Sequence, residues 1–489
     1  MLPTLAATAR GLAARPWTAA ATVSATRAAV TCSHRAFSTD YADVAILGSG
    51  VAGAALACAL AQAPELAAHK IALIDSADLT RRYSPATDDH WSNRVVSLTP
   101  RSVQFLQDLG VWDAIPSTRQ HPYEHMKVWD ACSNGRADFS AETVSSPAIA
   151  YMIEVPYLQS ALLEVLSAQH ADRITVHSNA TVATPLARDD SGDTDAYPLL
   201  DLGSEKIAAR VLVGSDGANS RVRSDLVRTQ FFGRDYGRVG LVATVAIDPT
   251  QGNATAWQRF LPTGPLAMLP LSDTHSSLVW TLPPAMAAKA AALPEDQFVA
   301  LVNAAFFYPP AELAVFLGNE LDLDIAEEVE WRDEVYEHGV DLDRVVLPPY
   351  VEGVQDGSRA AFPLRLRHSM EYTAHRAVLV GDAAHLIHPL AGQGLNLGLG
   401  DVECLSRTFR DAASTGQDLG HAHVLETYAR ERYPVNAAML TACDALHHLF
   451  GTDAAPVAWI RSFGLNRFNQ LDLVKRTVMR ATMGEVSML

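Results

Sequence analysis

An α/β architecture is what this sequence predicts: a Rossmann-like dinucleotide-binding domain, an inserted β-rich domain and a C-terminal helical tail. Three observations carry it. Short apolar runs, of the kind that form buried strands, each end in a glycine- or aspartate-bearing turn near positions 48, 216 and 382. Stretches between the last two turns, such as Gly240 to Ile247 and Ser277 to Leu282, read as further strands. Beyond Pro434, Met439, Leu440, Leu446, Leu449 and Phe450 fall on one side of a helical pattern.

The first turn is the best defined. Val44-Ala45-Ile46-Leu47 runs into Gly48-Ser49-Gly50-Val51-Ala52-Gly53, then a small-residue helix over Ala54 to Ala63, then the strand Ile71 to Ile74 ending at Asp75. This is a βαβ unit. Gly48 permits the tight turn, Gly50 lets backbone approach a pyrophosphate, and Gly53 lets helix pack on strand. The phosphates then sit at a helix N-terminus, where free N–H groups and the dipole favour anions. Asp75, 22 residues after Gly53, is placed to accept hydrogen bonds from a ribose. The motif alone does not separate NAD from FAD.

Composition sets the frame. At 489 residues the chain exceeds what one hydrophobic core supports, and 48% hydrophobic with 19% charged residues suits a packed enzyme. A formal charge of −17 argues against nucleic acid and against broad adhesion to anionic lipid. Cys32, Cys58, Cys132, Cys404 and Cys443 lie far apart with no Cys-x-x-Cys pair, which favours buried thiols in a reducing compartment. Residues 1–39 differ from the rest. They hold Arg10, Arg15, Arg27 and Arg35, many Ala, Ser and Thr, and no acid before Asp40. That is the signature of a mitochondrial or plastid transit peptide, and Arg35-Ala36-Phe37-Ser38 is similar to a matrix-protease site cut after Phe37. The uncharged stretch from Val44 to Pro64 is long enough to imitate a membrane span, but its glycines make it a buried strand and helix.

The second turn is Val211-Leu212-Val213-Gly214-Ser215-Asp216-Gly217-Ala218-Asn219-Ser220-Arg221-Val222-Arg223, and the third opens with Val378-Leu379-Val380-Gly381-Asp382. These resemble the "DG" and "GD" motifs of the aromatic flavoprotein hydroxylases. The continuation, His388-Pro389-Leu390-Ala391-Gly392-Gln393-Gly394-Leu395-Asn396-Leu397-Gly398-Leu399-Gly400-Asp401, matches the signature H-P-L-A-G-Q-G-x-N-x-G-x-x-D of the UbiH/UbiF/Coq-type ubiquinone-biosynthesis monooxygenases at every fixed position. The resemblance is strongest to the mitochondrial ring hydroxylases of that family. Further echoes are Arg94 within Asn93 to Thr99, Met126 to Asp130, Gln258 to Leu261, Gly264 to Leu271, Arg461 to Asn466, and Met483-Gly484. Two departures stand out: family members often carry Glu at Asp75, and Glu-Asn where this chain has Glu154-Val155-Pro156.

The resemblance implies FAD as cofactor. It places Asp216 and Gly217 beside the pyrophosphate, Gly381 and Asp382 at the ribitol, and Arg94 near the cofactor. Pro389, Gly392, Gly394 and Asn396 belong to the signature loop, where glycines let backbone lie against a ring and proline stiffens the approach. The helix opening near Leu395 then aims its N-terminus at the flavin's pyrimidine edge. The implied reaction is aromatic hydroxylation at ring carbon five of a polyprenyl-4-hydroxybenzoate or related prenylated phenol, through a flavin C4a-hydroperoxide formed with molecular oxygen. No side-chain catalyst is required, and the sequence offers no triad, paired carboxylates or metal set. His385 and His388 lack an acidic third ligand, so scaffold hydrogen bonding is expected of them rather than metal. The resemblance further implies electrons from ferredoxin and ferredoxin reductase, a place in a coenzyme Q biosynthetic complex, and peripheral contact with the matrix side of the mitochondrial inner membrane. Competing readings are an FAD hydroxylase of a small phenol and a flavin-bound non-catalytic subunit.

The expected organisation follows. The FAD-binding domain takes 40–120, 150–230 and 355–435, the substrate domain takes 121–149 and 231–354, and the helical region takes 436–489. Asp189 to Tyr197 reads as a polar hairpin or loop, and Ala285 to Ala292 starts a helical stretch.

Overall fold

The computed structural model describes residues 39–87, 89–183, 186–188, 196–318, 323–336, 348–388 and 392–484. The transit-peptide expectation, Pro389 and most of the Asp189–Tyr197 loop lie outside these; antiparallel pairs Pro198–Arg188 and Leu199–Ala187 flank that loop.

A parallel sheet holds the expected βαβ unit. In spatial order its parallel strands are Ala377–Leu379, Lys206–Gly214, Thr39–Leu47, Ile71–Ile74 and Ile174–His177. Val44, Ala45, Ile46, Val211, Leu212 and Val213 are all fully buried, as a sheet covered on both faces requires. The helix Val51–Gln62 is buried from Val51 to Ala61 apart from Ala52, and its alanines let it lie close to Val155–Gln169 and Gln393–Ser414. Pro156 stands in the first turn of Val155–Gln169, where its missing N–H costs nothing.

A second, larger sheet is antiparallel except for the parallel pair Thr255–Leu261 and His125–Asp130. Its spine is Phe231–Ile247, which shifts register between Asp235 and Val239, with Gly237 at φ +58° inside the shift. Helices Pro284–Ala292, Glu295–Phe307 and Pro310–Leu317 cover one face and enclose Trp280, Phe298 and Phe316 in a core separate from that of the parallel sheet. The two-residue strand His385–Leu386 pairs with Ala360–Ser369 of this sheet, so the chain leaving the third turn runs straight into it. A three-stranded sheet of Val95–Leu98, Ala150–Glu154 and His121–Tyr123 completes the body.

Pro434 does not begin the C-terminal helices. It lies inside the helix Ala422–Phe450, which is followed by Ala455–Gln470 and Asp472–Thr482. Met439, Leu440 and Phe450 are buried as expected, but Leu446 and Leu449 are exposed. Among the described residues no helix is long and apolar enough to cross a membrane.

Candidate cofactor and active site

All three turns meet at the carboxyl ends of adjacent parallel strands, at Leu47, Gly214 and Leu379. Ligands of open α/β sheets bind outside that edge. In the first turn Gly48 has φ +101°, and a Cβ there would stand 2.5 Å from the Ser215 carbonyl oxygen. A Cβ on Gly53 would stand 1.9 Å from the Gly48 carbonyl oxygen. Gly50 differs: it caps the helix with φ −57°, and a Cβ there would meet nothing within 4 Å. The Asp75 carboxylate accepts from the Ser49 N–H at 2.6 Å, the Ser49 hydroxyl at 2.8 Å and the Ala77 N–H at 2.8 Å. It fixes the glycine turn from below, and a ribose contact would share a carboxylate already in use.

The Ser215 hydroxyl donates to the Leu47 and Gly48 carbonyls, clamping the second turn onto the first. One oxygen of Asp216 accepts from the Arg221 N–H at 2.6 Å. The other is buried with no partner among the described residues, and burial raises this carboxyl above the usual range. Gly217 follows at φ +77° in open space. Arg223 ends the motif buried, donating to the Ala383 carbonyl at 2.9 Å and to the Ala218 carbonyl at 2.9 Å, its guanidinium 4.1 Å over the Phe231 ring. The arginine thus ties the second turn to the third.

In the third turn Gly381 has φ +59° and comes within van der Waals contact of Ala52 in the first helix. Asp382 is exposed at the turn yet walled by protein, which raises its carboxyl above the usual range. Gly392, at φ +60°, caps Gln393–Ser414, and Gly394 has room beside it, Ile387 standing 3.5 Å from where a Cβ would be. Asn396 spends its side chain on the protein. Its amide donates to the Ser97 carbonyl at 2.8 Å and the Gly392 carbonyl at 3.1 Å, while its oxygen accepts from the Thr99 N–H at 2.9 Å and the Ser102 hydroxyl at 2.7 Å. It is a clamp between loop and neighbouring strand, with nothing left over for a ligand. Arg94 is exposed, its N–H donating to the Ser92 hydroxyl and its carbonyl accepting from the Val155 N–H.

Asp401, the last residue of the signature, is a centre that motif reading passed over. Fully buried, it accepts from the Gly381 N–H at 3.1 Å, His385 Nε2 at 2.6 Å, Arg432 Nε at 2.8 Å and Asn436 Nδ2 at 2.9 Å. Burial alone would raise its carboxyl; His385 and Arg432 overcome this and hold it far below the carboxylate range. Asn436 extends the network to the Tyr372 hydroxyl, which His368 meets at 2.8 Å. The His368 imidazole is pushed down to about 4 and His388 to about 3, both by burial first. His388 is packed between the rings of Tyr236 and His447, at 4.9 and 5.0 Å. Glu154 is buried too. It accepts from the Ser92 N–H at 2.6 Å and from Arg119 at 3.0 Å, and Arg119 lies 4.2 Å over the Trp91 ring.

The edge fits a dinucleotide. Gly50 and Gly217 leave space a side chain would fill, the second turn holds a buried Asp216 carboxylate oxygen with no partner among the described residues, and two helix N-termini open at or beside the edge. A family model described as an FAD binding domain matches residues 41–316 and 345–443. The fold is shared with PqsL, a probable FAD-dependent monooxygenase from Pseudomonas aeruginosa, at TM-score 0.61 and 20% identity, over 88% of this chain and 100% of that one. Fold and site together define a flavoprotein monooxygenase of the aromatic-hydroxylase type, with FAD as cofactor. The chain is 37% identical to the mitochondrial ubiquinone biosynthesis monooxygenase COQ6 of Xenopus tropicalis, over 89% of this chain and 92% of the relative. It is 36% identical to its Homo sapiens counterpart, over 89% and 91%. The chain belongs to this family of ubiquinone-biosynthesis monooxygenases.

Proposed function

We propose that this monooxygenase hydroxylates carbon five of the ring of a polyprenyl-4-hydroxybenzoate or related prenylated phenol. The observation that carries the reading is similarity along some nine-tenths of both chains to relatives named for ubiquinone biosynthesis. In this reading 40–120, 150–230 and 355–435, which carry the parallel strands, hold FAD, and 121–149 and 231–354, which carry most of the antiparallel sheet, hold substrate. Gly48, Gly50 and Gly53 shape the turn that receives the pyrophosphate, with Asp216 and Gly217 along its flank. Asp75 accepts from the ribose and Asp382 from the ribitol. Pro389, Gly392 and Gly394 face the ring, Asn396 holds that loop in place, and Arg94 reaches in from the exposed side.

FAD, once reduced, supplies the activation of oxygen. The protein's part is to orient the phenol ring, exclude water and keep Asp382 and the loop backbone in position. Electrons come from ferredoxin, itself reduced by ferredoxin reductase. Of two basic pairs suited to an acidic donor, Arg81-Arg82 and Lys475-Arg476, the first is half committed, because Arg82 donates to the Leu79 and Leu163 carbonyls. The chain works in a coenzyme Q biosynthetic complex, on the matrix side of the mitochondrial inner membrane. A reporter joined after Thr39 should therefore enter mitochondria; a cytosolic signal from it would refute the address.

The reaction is tested with purified flavin-loaded protein, oxygen and a short-chain 3-polyprenyl-4-hydroxybenzoate. Ferredoxin with its reductase should support formation of the carbon-five phenol, and NADPH alone should reduce the flavin poorly. Hydroxylation of small phenols with no turnover of the prenylated one would establish the small-phenol reading instead.

A further inference from the structure

Among the described residues, seventeen large apolar side chains are exposed, and nine of them fall between Leu446 and Val478. Seven of the nine lie on the last two helices, Ala455–Gln470 and Asp472–Thr482, or at Leu471 between them. The helix Ala455–Gln470 is fastened to the body by its inner side. Arg461 is buried and grips Asp130 at 2.8 and 2.9 Å, while Leu465 and Phe468 pack against the Val128, Phe260 and Phe450 cluster. Its outer side is apolar as well: Trp459 is 69% exposed, Ile460 61% and Phe463 53%. The Trp459 and Phe463 rings stack at 6.0 Å, and the Arg467 guanidinium lies 5.3 Å over Phe463. The next helix, Asp472–Thr482, repeats the plan. Met479 and Met483 pack on Val144, and Leu473, 80% exposed, points outward with Val474 and Val478.

Charge decides what covers this face. The chain as a whole carries −17, yet residues 455–484 hold Arg461, Arg467, Lys475, Arg476 and Arg480 against a single acid, Asp472. With Arg461 taken by Asp130 and Lys475 placed over the Phe139 ring, Arg467 and Arg476 stand exposed among the apolar side chains. Two copies joined through this face about a two-fold axis would set these cations against each other. A basic, tryptophan-bearing amphipathic surface instead matches an anionic bilayer, where apolar side chains enter the headgroup boundary and cations meet lipid phosphates.

We propose that the outer face of helices Ala455–Gln470 and Asp472–Thr482 docks this enzyme on an anionic lipid bilayer. The inference rests on the membrane-side reading above and gives it a surface: Trp459, Ile460, Phe463 and Leu473 insert, and Arg467 and Arg476 hold the phosphates.

Flotation of the FAD-loaded protein with vesicles tests it, using phosphatidylcholine alone or phosphatidylcholine with cardiolipin. Binding is expected on the cardiolipin vesicles and should fall with salt. The variant Trp459→Ser/Phe463→Ser/Leu473→Ser should lose roughly tenfold or more in affinity, and Arg467→Gln/Arg476→Gln a similar factor. All these side chains are exposed, so flavin content should be unchanged. Undiminished binding by both variants would overturn the proposal. So would self-association or ferredoxin-driven flavin reduction that the variants abolish while vesicle binding persists. Binding that follows the variants in a protein that hydroxylates no prenylated phenol would sink the substrate reading and leave the docking face standing.

Discussion

Gly50→Val should leave the apoprotein folded and strip it of FAD. At most glycines of the site a substitution confounds two effects, because the backbone or the packing needs glycine. Gly48 and Gly381 have positive φ, and a Cβ on Gly53 would overlap the Gly48 carbonyl oxygen. Gly50 has neither constraint: its φ of −57° suits any residue, and no protein atom lies within 4 Å of a Cβ built there. Replacing glycine at this helix cap costs the fold about 1 kcal/mol. The same methyl groups would occupy the approach to the helix N-terminus, where the phosphates need direct backbone contact. FAD affinity should therefore fall by roughly a hundredfold or more, on the order of 3 kcal/mol. The protein should purify colourless with an unchanged far-ultraviolet circular dichroism spectrum. Gly53→Ala is the contrasting control, since it should damage the turn itself. A yellow Gly50→Val protein with full flavin content would remove the pyrophosphate from this turn.

The comparison of these glycines shows where sequence was enough. Strand, turn, helix and following strand are encoded locally, by an apolar run, glycines at fixed offsets and a small-residue helix, so Ile71–Ile74 and the helix after Gly50 stand where periodicity puts them. The cofactor also followed from short segments, because each motif carries its own backbone requirements. What local pattern does not encode is which side chains spend themselves on one another. Asn396 lies in a signature loop and reads as a ligand group, but Ser97, Thr99 and Ser102 are nearly 300 residues away in sequence, so its clamp was invisible. Arg223 likewise reaches Ala383 across 160 positions of chain. Pro434 misled for a different reason: the helix Ala422–Phe450 carries it within its span, because its packing against the preceding helix outweighs the local penalty. In the stripe Met439, Leu440, Leu446, Leu449 and Phe450 the second and third leucines are exposed, because spacing marks a stripe without saying which part of it meets the body.

The largest loss of stability should come from Asp401→Ala. This carboxylate is buried without contact to water and holds four donors from three parts of the chain: the Gly381 N–H, His385, Arg432 and Asn436. Removing it leaves the largely enclosed Arg432 guanidinium, 13% exposed, without its counter-charge and orphans the Gly381 N–H beside Asp382. Breaking a buried pair in this way costs about 3–5 kcal/mol, a large part of the stability of an ordinary domain. Asp401→Asn keeps the volume and two acceptor positions but turns an amide donor toward groups that themselves donate, so it should fall between. Acid should reproduce part of the effect. The Asp401 carboxyl is held below its unfolded value of 3.8, so its contribution is complete above that pH and is lost as pH falls through the folded value. His368 and His388 act earlier: their folded values, about 4 and about 3, lie below the 6.5 of the unfolded chain. The unfolded state therefore takes up protons first, and stability declines from pH 6.5 downward, by about 2 kcal/mol for each histidine at pH 5. Urea unfolding of the flavin-loaded protein at pH 7.5 and pH 5, followed by flavin release and circular dichroism, measures both effects. An Asp401→Ala midpoint equal to that of the parent protein would mean that the network does not hold the third turn, and that Asp382 is positioned by other means.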